Sequence, residues 1–260
     1  MAKLKADIAA QFASDSSLVD EVMPSPNHSE RRVVGRPDII VLHYTGMQDA
    51  QDALNRLCQQ GSDVSAHYVV FEDGRIVQCV PEARRAWHAG EAAWAGATDI
   101  NSRSIGIEIA NPGHDWGYVD FTEAQVAALI ALGRDILARH AVPSQHVLAH
   151  SDVAPARKQD PGEKFPWARL AAAGVGLWVA PEPIAPAGPT LGIGDHGPEV
   201  ERLQAALGRY GYGIDVTGAY DPQTSDVVTA FQRHFRPARV DGVADVSTQR
   251  TLAKLLKALA

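Results

Sequence analysis

Residues 146 to 162 have the sequence HVLAHSDVAPARKQDPG, a strand-like segment followed by a loop broken by two prolines. Its two ligand-type residues, His150 and Asp160, cannot share one regular helix, so we expect the loop to bring Asp160 back to the strand end. Imidazole nitrogen and carboxylate oxygen are both ligands of Zn²⁺, and a catalytic zinc site has three protein ligands and one open position. A third ligand must therefore come from elsewhere in the chain.

The segments around this stretch alternate between strand and helix patterns over residues 36–178. Residues 38–44 form an apolar run typical of a buried strand, and residues 65–80 contain an Asp-Gly turn that predicts a hairpin. A Thr-x-x-Gln capping box at residues 122–125 predicts the start of a helix. We therefore predict an α/β domain with a mixed central sheet, antiparallel at the hairpin and flanked by helices.

The rest of the chain divides into three further segments. Residues 1–35 predict a polar, weakly helical surface arm, and residues 179–192 a proline-rich linker, because APEPIAPAGPT is almost free of large side chains. Residues 193–260 carry three helical stripes and a repeated turn-Asp-x-x-Thr motif before two of the helices, which predicts a small three-helix domain.

Composition restricts the partners and the location of the chain. The net charge of −7 over 260 residues argues against nucleic acid and anionic membranes as partners, and no protein partner is predicted. Residues 1–22 contain no continuous apolar segment, and no later segment is long enough to span a bilayer. We expect a cytoplasmic protein without membrane insertion; a periplasmic location by a non-Sec route stays open. Two free thiols, Cys58 and Cys79, are favoured over one bridge.

Three histidines are candidates for the third ligand: His43, His67 and His88. His43 ends a buried strand, as His150 does, and neighbouring strand ends of an α/β sheet bring distant residues together. His43 is therefore the preferred third ligand.

A carboxylate stands in the middle of an otherwise apolar strand pattern. In SIGIEIA, residues 104–110, the isoleucines share one face and Glu108 lies on the other. Either Glu108 belongs to a site, or the strand is an edge strand with one solvated carboxylate.

Five motifs in order resemble one enzyme family. They are LHYT (42–45), SAHY (65–68), AWHAG (86–90), SIGIEIAN (104–111) and HSDVAPARKQDPG (150–162). Together they are similar to the zinc-dependent N-acetylmuramoyl-L-alanine amidases of the AmpD/AmiD type, the amidase_2 family, whose fold also underlies peptidoglycan recognition proteins. The C-terminal segment resembles, less specifically, the three-helix peptidoglycan-binding domain.

The resemblance implies a role for each matching residue. It implies that His43, His150 and Asp160 bind zinc, that Glu108 is the general base toward water, and that Lys158 stabilises the oxyanion. It places His67 and His88 beside the groove as substrate contacts, with structural roles equally open.

The function that follows is hydrolysis of the amide between N-acetylmuramic acid, or its 1,6-anhydro form, and L-alanine of the stem peptide. Peptidoglycan or muropeptide fragments would be the partner, in cell-wall turnover or recycling. Two alternatives remain: a non-catalytic peptidoglycan-binding protein, and a zinc peptidase that cuts within the stem peptide.

Overall fold

The computed structural model describes residues 12–32, 35–184 and 188–260. The strands are β1 (Glu21–Val22), β2 (His28–Glu30), β3 (Ile39–Tyr44), β4 (Tyr68–Val70), β5 (Ile76–Gln78), β6 (Arg84–Ala86), β7 (Ser104–Ile109) and β8 (Val147–Ala149). Six of them form a central sheet in the order β1-β5-β4-β7-β3-β8, and β2 pairs with β6 separately. Among the described residues, β4 and β5, the predicted hairpin, pair antiparallel and the other pairs of the central sheet are parallel, which confirms the mixed sheet.

Helices cover the sheet and form the C-terminal part. They are α1 (Ala50–Cys58), α2 (Ile100–Arg103), α3 (Glu123–Arg139), α4 (His150–Val153), α5 (Trp167–Ala172), α6 (Pro198–Tyr210), α7 (Pro222–Phe235) and α8 (Val246–Ala258). The capping box of α3 is formed as predicted, because the Thr122 hydroxyl accepts from the Gln125 N–H and the Gln125 side chain accepts from the Thr122 N–H.

Strand β3 lies between β7 and β8 and has a different apolar neighbour on each face. Ile40 and Leu42 belong to the apolar cluster that contains the buried side of α3. Ile39 and Val41 belong to the cluster that contains the buried sides of α6, α7 and α8. Because side chains alternate along a strand, His43 shares a face with Ile39 and Val41.

The N-terminal segment differs from the sequence expectation. Residues 12–32 form two short strands and no helix: β1 extends the sheet beside β5, and β2 pairs with β6. Asn27 fixes the segment between them, since its Nδ2 donates to the Gln59 carbonyl (2.8 Å) and the Ser62 hydroxyl (2.8 Å). Residues 1–11 and 33–34 of the predicted arm lie outside the described residues.

The three predicted C-terminal helices are α6, α7 and α8, and their connections repeat. Oε1 of Gln204 accepts the N–H groups of residues 217 and 218, and Oε1 of Gln232 accepts those of residues 241 and 242. Asp221 and Asp245 cap α7 and α8 through the N–H three residues on. The internal sequence repeat is thus also a structural one, although its exact limits as a domain stay a prediction.

Within the described part of the chain, no helix is both long and apolar enough to cross a membrane. Cys58 and Cys79 are free thiols.

Candidate metal centre and active site

Three ligand-type side chains meet at the carboxyl ends of β3 and β8. Nδ1 of His43 lies 2.9 Å from Nδ1 of His150, and each of these nitrogens lies 3.0 Å from Oδ2 of Asp160. The Ser151 N–H donates to the Asp160 carbonyl over 3.0 Å and returns the loop to the strand end. All three side chains are buried. Such convergence of three donor atoms is the arrangement expected of ligands to one metal ion. We refer to His43, His150 and Asp160 as the ligand group.

Two members of the ligand group have perturbed pKa values. Burial and the neighbouring His150 lower the pKa of His43 to about 4, which leaves its ring neutral at pH 7. Burial by itself would raise the pKa of Asp160, but the His150 and His43 rings outweigh it and hold that pKa well below its usual range. A neutral imidazole and an ionised carboxylate are the forms that bind a metal.

A chain of hydrogen bonds leaves Nδ1 of His43 free of a proton. The Ser104 hydroxyl donates to the Ile100 carbonyl (2.7 Å), so its oxygen can accept from Nε2 of His88 (3.1 Å). Nδ1 of His88 is then an acceptor, and Nε2 of His43 donates to it over 3.0 Å. The remaining lone pair of His43 therefore faces the ligand group.

His150 is oriented in the same manner by a backbone carbonyl. Its Nε2 donates to the Ala89 carbonyl over 3.1 Å, which leaves its Nδ1 as the ligand atom. Nη2 of Arg157 donates to the same carbonyl at 3.1 Å. Both histidines are thus held in the tautomer that presents Nδ1, and the donor set fits a metal ion.

Glu108 lies beside the ligand group on a central strand. The register of β3 and β7 places it opposite His43, and β4 pairs with the other side of β7, so the edge-strand alternative is wrong. Its Oε2 is buried and has no hydrogen-bond partner among the described residues. Burial, with the charge of Asp160 added, raises the pKa of Glu108 well above its usual range, while Lys158 acts in the opposite direction. An unpaired buried carboxyl in a cleft is a typical feature of a functional site.

A cleft of about 380 Å³ opens onto these residues. Lys158 lines the cleft and is half-buried. The cleft walls also carry residues that the sequence did not assign to the site: Met47, Arg56, Trp87, Asp115 and Gln159.

The two remaining histidines of the prediction have different environments. His67 is 0% exposed, its Nδ1 accepts the Gly106 N–H (2.9 Å), and its Nε2 donates to the Arg84 carbonyl (3.1 Å). Burial and nearby Arg31 lower the pKa of His67 to about 3. His88 lines the cleft, but both of its ring nitrogens are used by His43 and Ser104.

Gly106 allows the His88 ring to lie over the sheet. A Cβ at this position would lie 2.5 Å from the ring. The sequence singled out neither Gly106 nor Ser104 as part of the site, although both lie in the SIGIEIA motif two and four residues before Glu108.

Two family profiles match the chain. Residues 34–163 match the profile described as N-acetylmuramoyl-L-alanine amidase. Residues 196–252 match a profile described as a peptidoglycan binding domain.

Characterised proteins are similar over most of the chain. N-acetylmuramoyl-L-alanine amidase AmiD of Escherichia coli K12 is 40% identical over 236 residues, which cover 85% of this chain and 83% of AmiD. The 1,6-anhydro-N-acetylmuramyl-L-alanine amidase AmpD of Enterobacter cloacae is 32% identical over 167 residues, which cover 57% of this chain and 86% of AmpD.

Solved structures give the same result. The complex of E. coli AmiD with anhydro-N-acetylmuramic acid-L-Ala-D-gamma-Glu-L-Lys aligns with a TM-score of 0.73 and 38% identity, over 88% of this chain and 92% of AmiD. AmpDh3 of Pseudomonas aeruginosa with anhydromuramic pentapeptide aligns with a TM-score of 0.70 and 29% identity, over 96% of this chain and 99% of AmpDh3.

Proposed function

Because the chain belongs to the N-acetylmuramoyl-L-alanine amidases of the amidase_2 family, we propose that it hydrolyses the amide between N-acetylmuramic acid, or its 1,6-anhydro form, and L-alanine of the stem peptide. The observation that carries this proposal is the buried ligand group with the unpaired Glu108 carboxyl beside it, at the edge of one cleft. A protein that only bound peptidoglycan would have no need of a buried carboxyl oxygen without a partner, which costs folding free energy.

We propose zinc as the metal and His43, His150 and Asp160 as its ligands. Two imidazoles and one carboxylate are a zinc-type donor set that leaves one position open. When bound, zinc makes a water molecule acidic enough to act near neutral pH and polarises the amide carbonyl.

Glu108 is proposed as the general base. Its raised pKa favours proton uptake, so it can take the proton of the attacking water and deliver it to the leaving nitrogen of L-alanine. The amide then becomes the lactyl carboxylate of the sugar and the free amino group of the peptide.

Lys158 is proposed as the group that stabilises the developing charge on the amide oxygen. The support is its position in the wall of the same cleft as Glu108 and His43.

For His88 and His67 we propose positioning and structural roles in place of direct substrate contact. The nitrogens of His88 are used to orient His43, and those of His67 to hold the backbone of residues 84 and 106.

Peptidoglycan fragments are the proposed substrate class. Two solved relatives, AmiD and AmpDh3, hold anhydromuropeptides. We further propose that residues 36–178 form the catalytic domain and that residues 179–192 link it to a peptidoglycan-binding domain, residues 193–260. The second family profile, which covers residues 196–252, lies within this last range. A cytoplasmic location stays a prediction, and fractionation of cells that express the chain with and without its first thirty residues would test it.

Mass spectrometry of digested muropeptides tests the proposed activity. The zinc-supplied wild type should release the intact stem peptide with a free L-alanine amino group, whereas Glu108→Ala and Asp160→Ala should not. Fragments cut inside the stem would support the peptidase alternative. No release by the wild type would support the non-catalytic alternative, and equal release by the variants would contradict the proposed roles of Glu108 and Asp160.

A further inference from the structure

The short helix α4 also carries a buried carboxylate that does not line the cleft. Asp152 lies two residues after His150 and is 0% exposed. Its Oδ2 accepts the Ala149 N–H at the start of the helix over 2.8 Å. A buried carboxylate needs further donors, and these come from the C-terminal part of the chain.

Two C-terminal side chains donate to this carboxylate. The Tyr212 hydroxyl donates to Oδ1 over 2.7 Å, and Nδ1 of His234 donates to Oδ2 over 2.7 Å. The His234 ring is itself fixed, because it stacks on Trp167 with ring centroids 3.7 Å apart. The helix that begins with a residue of the ligand group is thus tied to α7 and to the residues after α6.

The same C-terminal residues also hold the segment that orients the His150 ring. Trp94 packs against Tyr210 and Tyr212 with ring centroids 5.2 Å apart, and the Ala95 N–H donates to the Gly211 carbonyl over 2.7 Å. This segment begins at Ala89, whose carbonyl accepts from Nε2 of His150.

The surrounding apolar packing is continuous across the junction. One cluster contains Val41 and Leu148 of the sheet together with Val200, Phe231 and Phe235 of the C-terminal helices. The C-terminal helices therefore share a core with the sheet that carries the site, as a rigid support requires.

We propose that the C-terminal helices are a structural part of the metal centre, and that Tyr212 and His234 are positioning residues that fix His150 through Asp152. This inference rests on the proposed metal site. It assigns the C-terminal part a role in metal binding in addition to its proposed binding of peptidoglycan. Loss of residues that orient metal ligands typically lowers metal affinity about 10–100-fold.

The test measures zinc affinity in the full-length chain by competition with a chromophoric chelator. Tyr212→Phe and His234→Phe each remove one donor to Asp152 and retain an aromatic ring. Tyr220→Phe is the matched control, because its buried hydroxyl also makes a 2.7 Å hydrogen bond, to the Gly242 carbonyl within the C-terminal part. His234→Asn retains a donor near the position of Nδ1.

We expect Tyr212→Phe and His234→Phe to weaken zinc binding about tenfold. His234→Asn should bind zinc more tightly than His234→Phe. Tyr220→Phe should keep the zinc affinity of the wild type, although its Tm should fall about as much as that of Tyr212→Phe. Equal zinc affinity in wild type, Tyr212→Phe and His234→Phe would overturn the inference. If His234→Phe fails to fold by circular dichroism, Tyr212→Phe decides alone. A wild type without zinc affinity would contradict the proposed metal site itself, and with it this inference.

Discussion

Two buried polar clusters lie on opposite sides of the four-residue helix α4 and differ in how the oxygens of one carboxyl group in each are paired. On one side, His150 meets His43 and Asp160, with Glu108 beside them. On the other side, Asp152 accepts hydrogen bonds at both oxygens. Oε2 of Glu108 has no partner among the described residues.

The difference separates a reactive cluster from a structural one. A buried carboxylate whose oxygens are all paired stabilises the fold and has no capacity left for a ligand. A carboxyl with a buried oxygen that has no partner destabilises the fold and remains available to a substrate or a proton. Replacement of the carboxyl by a neutral amide should therefore lower activity without loss of stability at Glu108, and lower stability with little loss of activity at Asp152.

Loss of the metal ligands should have the largest effect. Asp160→Ala should reduce amidase activity to background, because the two remaining imidazoles hold zinc weakly. A metal bound only to the folded state raises stability, so a chelator should lower the Tm of the wild type and leave that of Asp160→Ala unchanged. Differential scanning calorimetry with and without chelator measures both values; a chelator shift equal in the two proteins would contradict the ligand assignment.

Substitution of the unpaired carboxyl should separate activity from stability. Glu108→Gln should lower kcat about 10²–10⁴-fold, the usual contribution of a general base. Its Tm should stay equal or rise, because a neutral amide is easier to bury than a carboxylate. Steady-state kinetics on a purified muropeptide and thermal unfolding check the two halves. A lower Tm with retained activity would mean that Glu108 stabilises the fold and takes no part in the reaction.

The lysine of the cleft should matter less than the base. Lys158→Met should lower kcat about 10²–10³-fold with little change in KM, since an oxyanion partner acts mainly in the transition state. Lys164→Met is the control: its ammonium donates to the Tyr118 carbonyl and it does not line the cleft. Equal kinetics for the two variants would remove Lys158 from the mechanism.

The paired carboxylate should show the reverse pattern to Glu108. Asp152→Asn should cost about 2 kcal/mol of unfolding free energy, because charge-assisted hydrogen bonds weaken. For a chain of this size the corresponding fall in Tm is about 4–8 °C. The loss in kcat should be small compared with that of Glu108→Gln once zinc saturates the protein. Urea unfolding compared with zinc-saturated kinetics measures both, and an unchanged unfolding free energy would mean that the Asp152 bonds add nothing to stability.

Local sequence patterns were sufficient to predict the strands that carry His43 and Glu108 and the start of helix α3. The apolar run that ends at His43, the alternation around Glu108 and the capping box at residues 122–125 each depend on near neighbours in sequence, and the structure has all three elements. His43 could be paired with His150 from the sequence because the ends of parallel strands meet at one edge of a sheet, as β3 and β8 do here.

Contacts between distant residues could not be predicted in the same way. Strands β1 and β2 have two and three residues, too short for a periodic pattern, and exist through pairing with β5 and β6. The bonds from Tyr212 and His234 to Asp152 join residues 60 and 82 positions apart. No local pattern distinguishes Asp152 from a surface carboxylate, whereas its two donors identify it once the chain is folded.

Hydrolysis in water enriched in oxygen-18 tests the central claim most directly. The zinc-loaded wild type should transfer the label to the lactyl carboxylate of the muramic acid product, and the released L-alanyl peptide should carry none. Glu108→Gln should form both products about 10²–10⁴-fold more slowly. Label in a peptide carboxylate with the muramic acid amide intact would mean that the chain cuts within the stem, and would contradict the account.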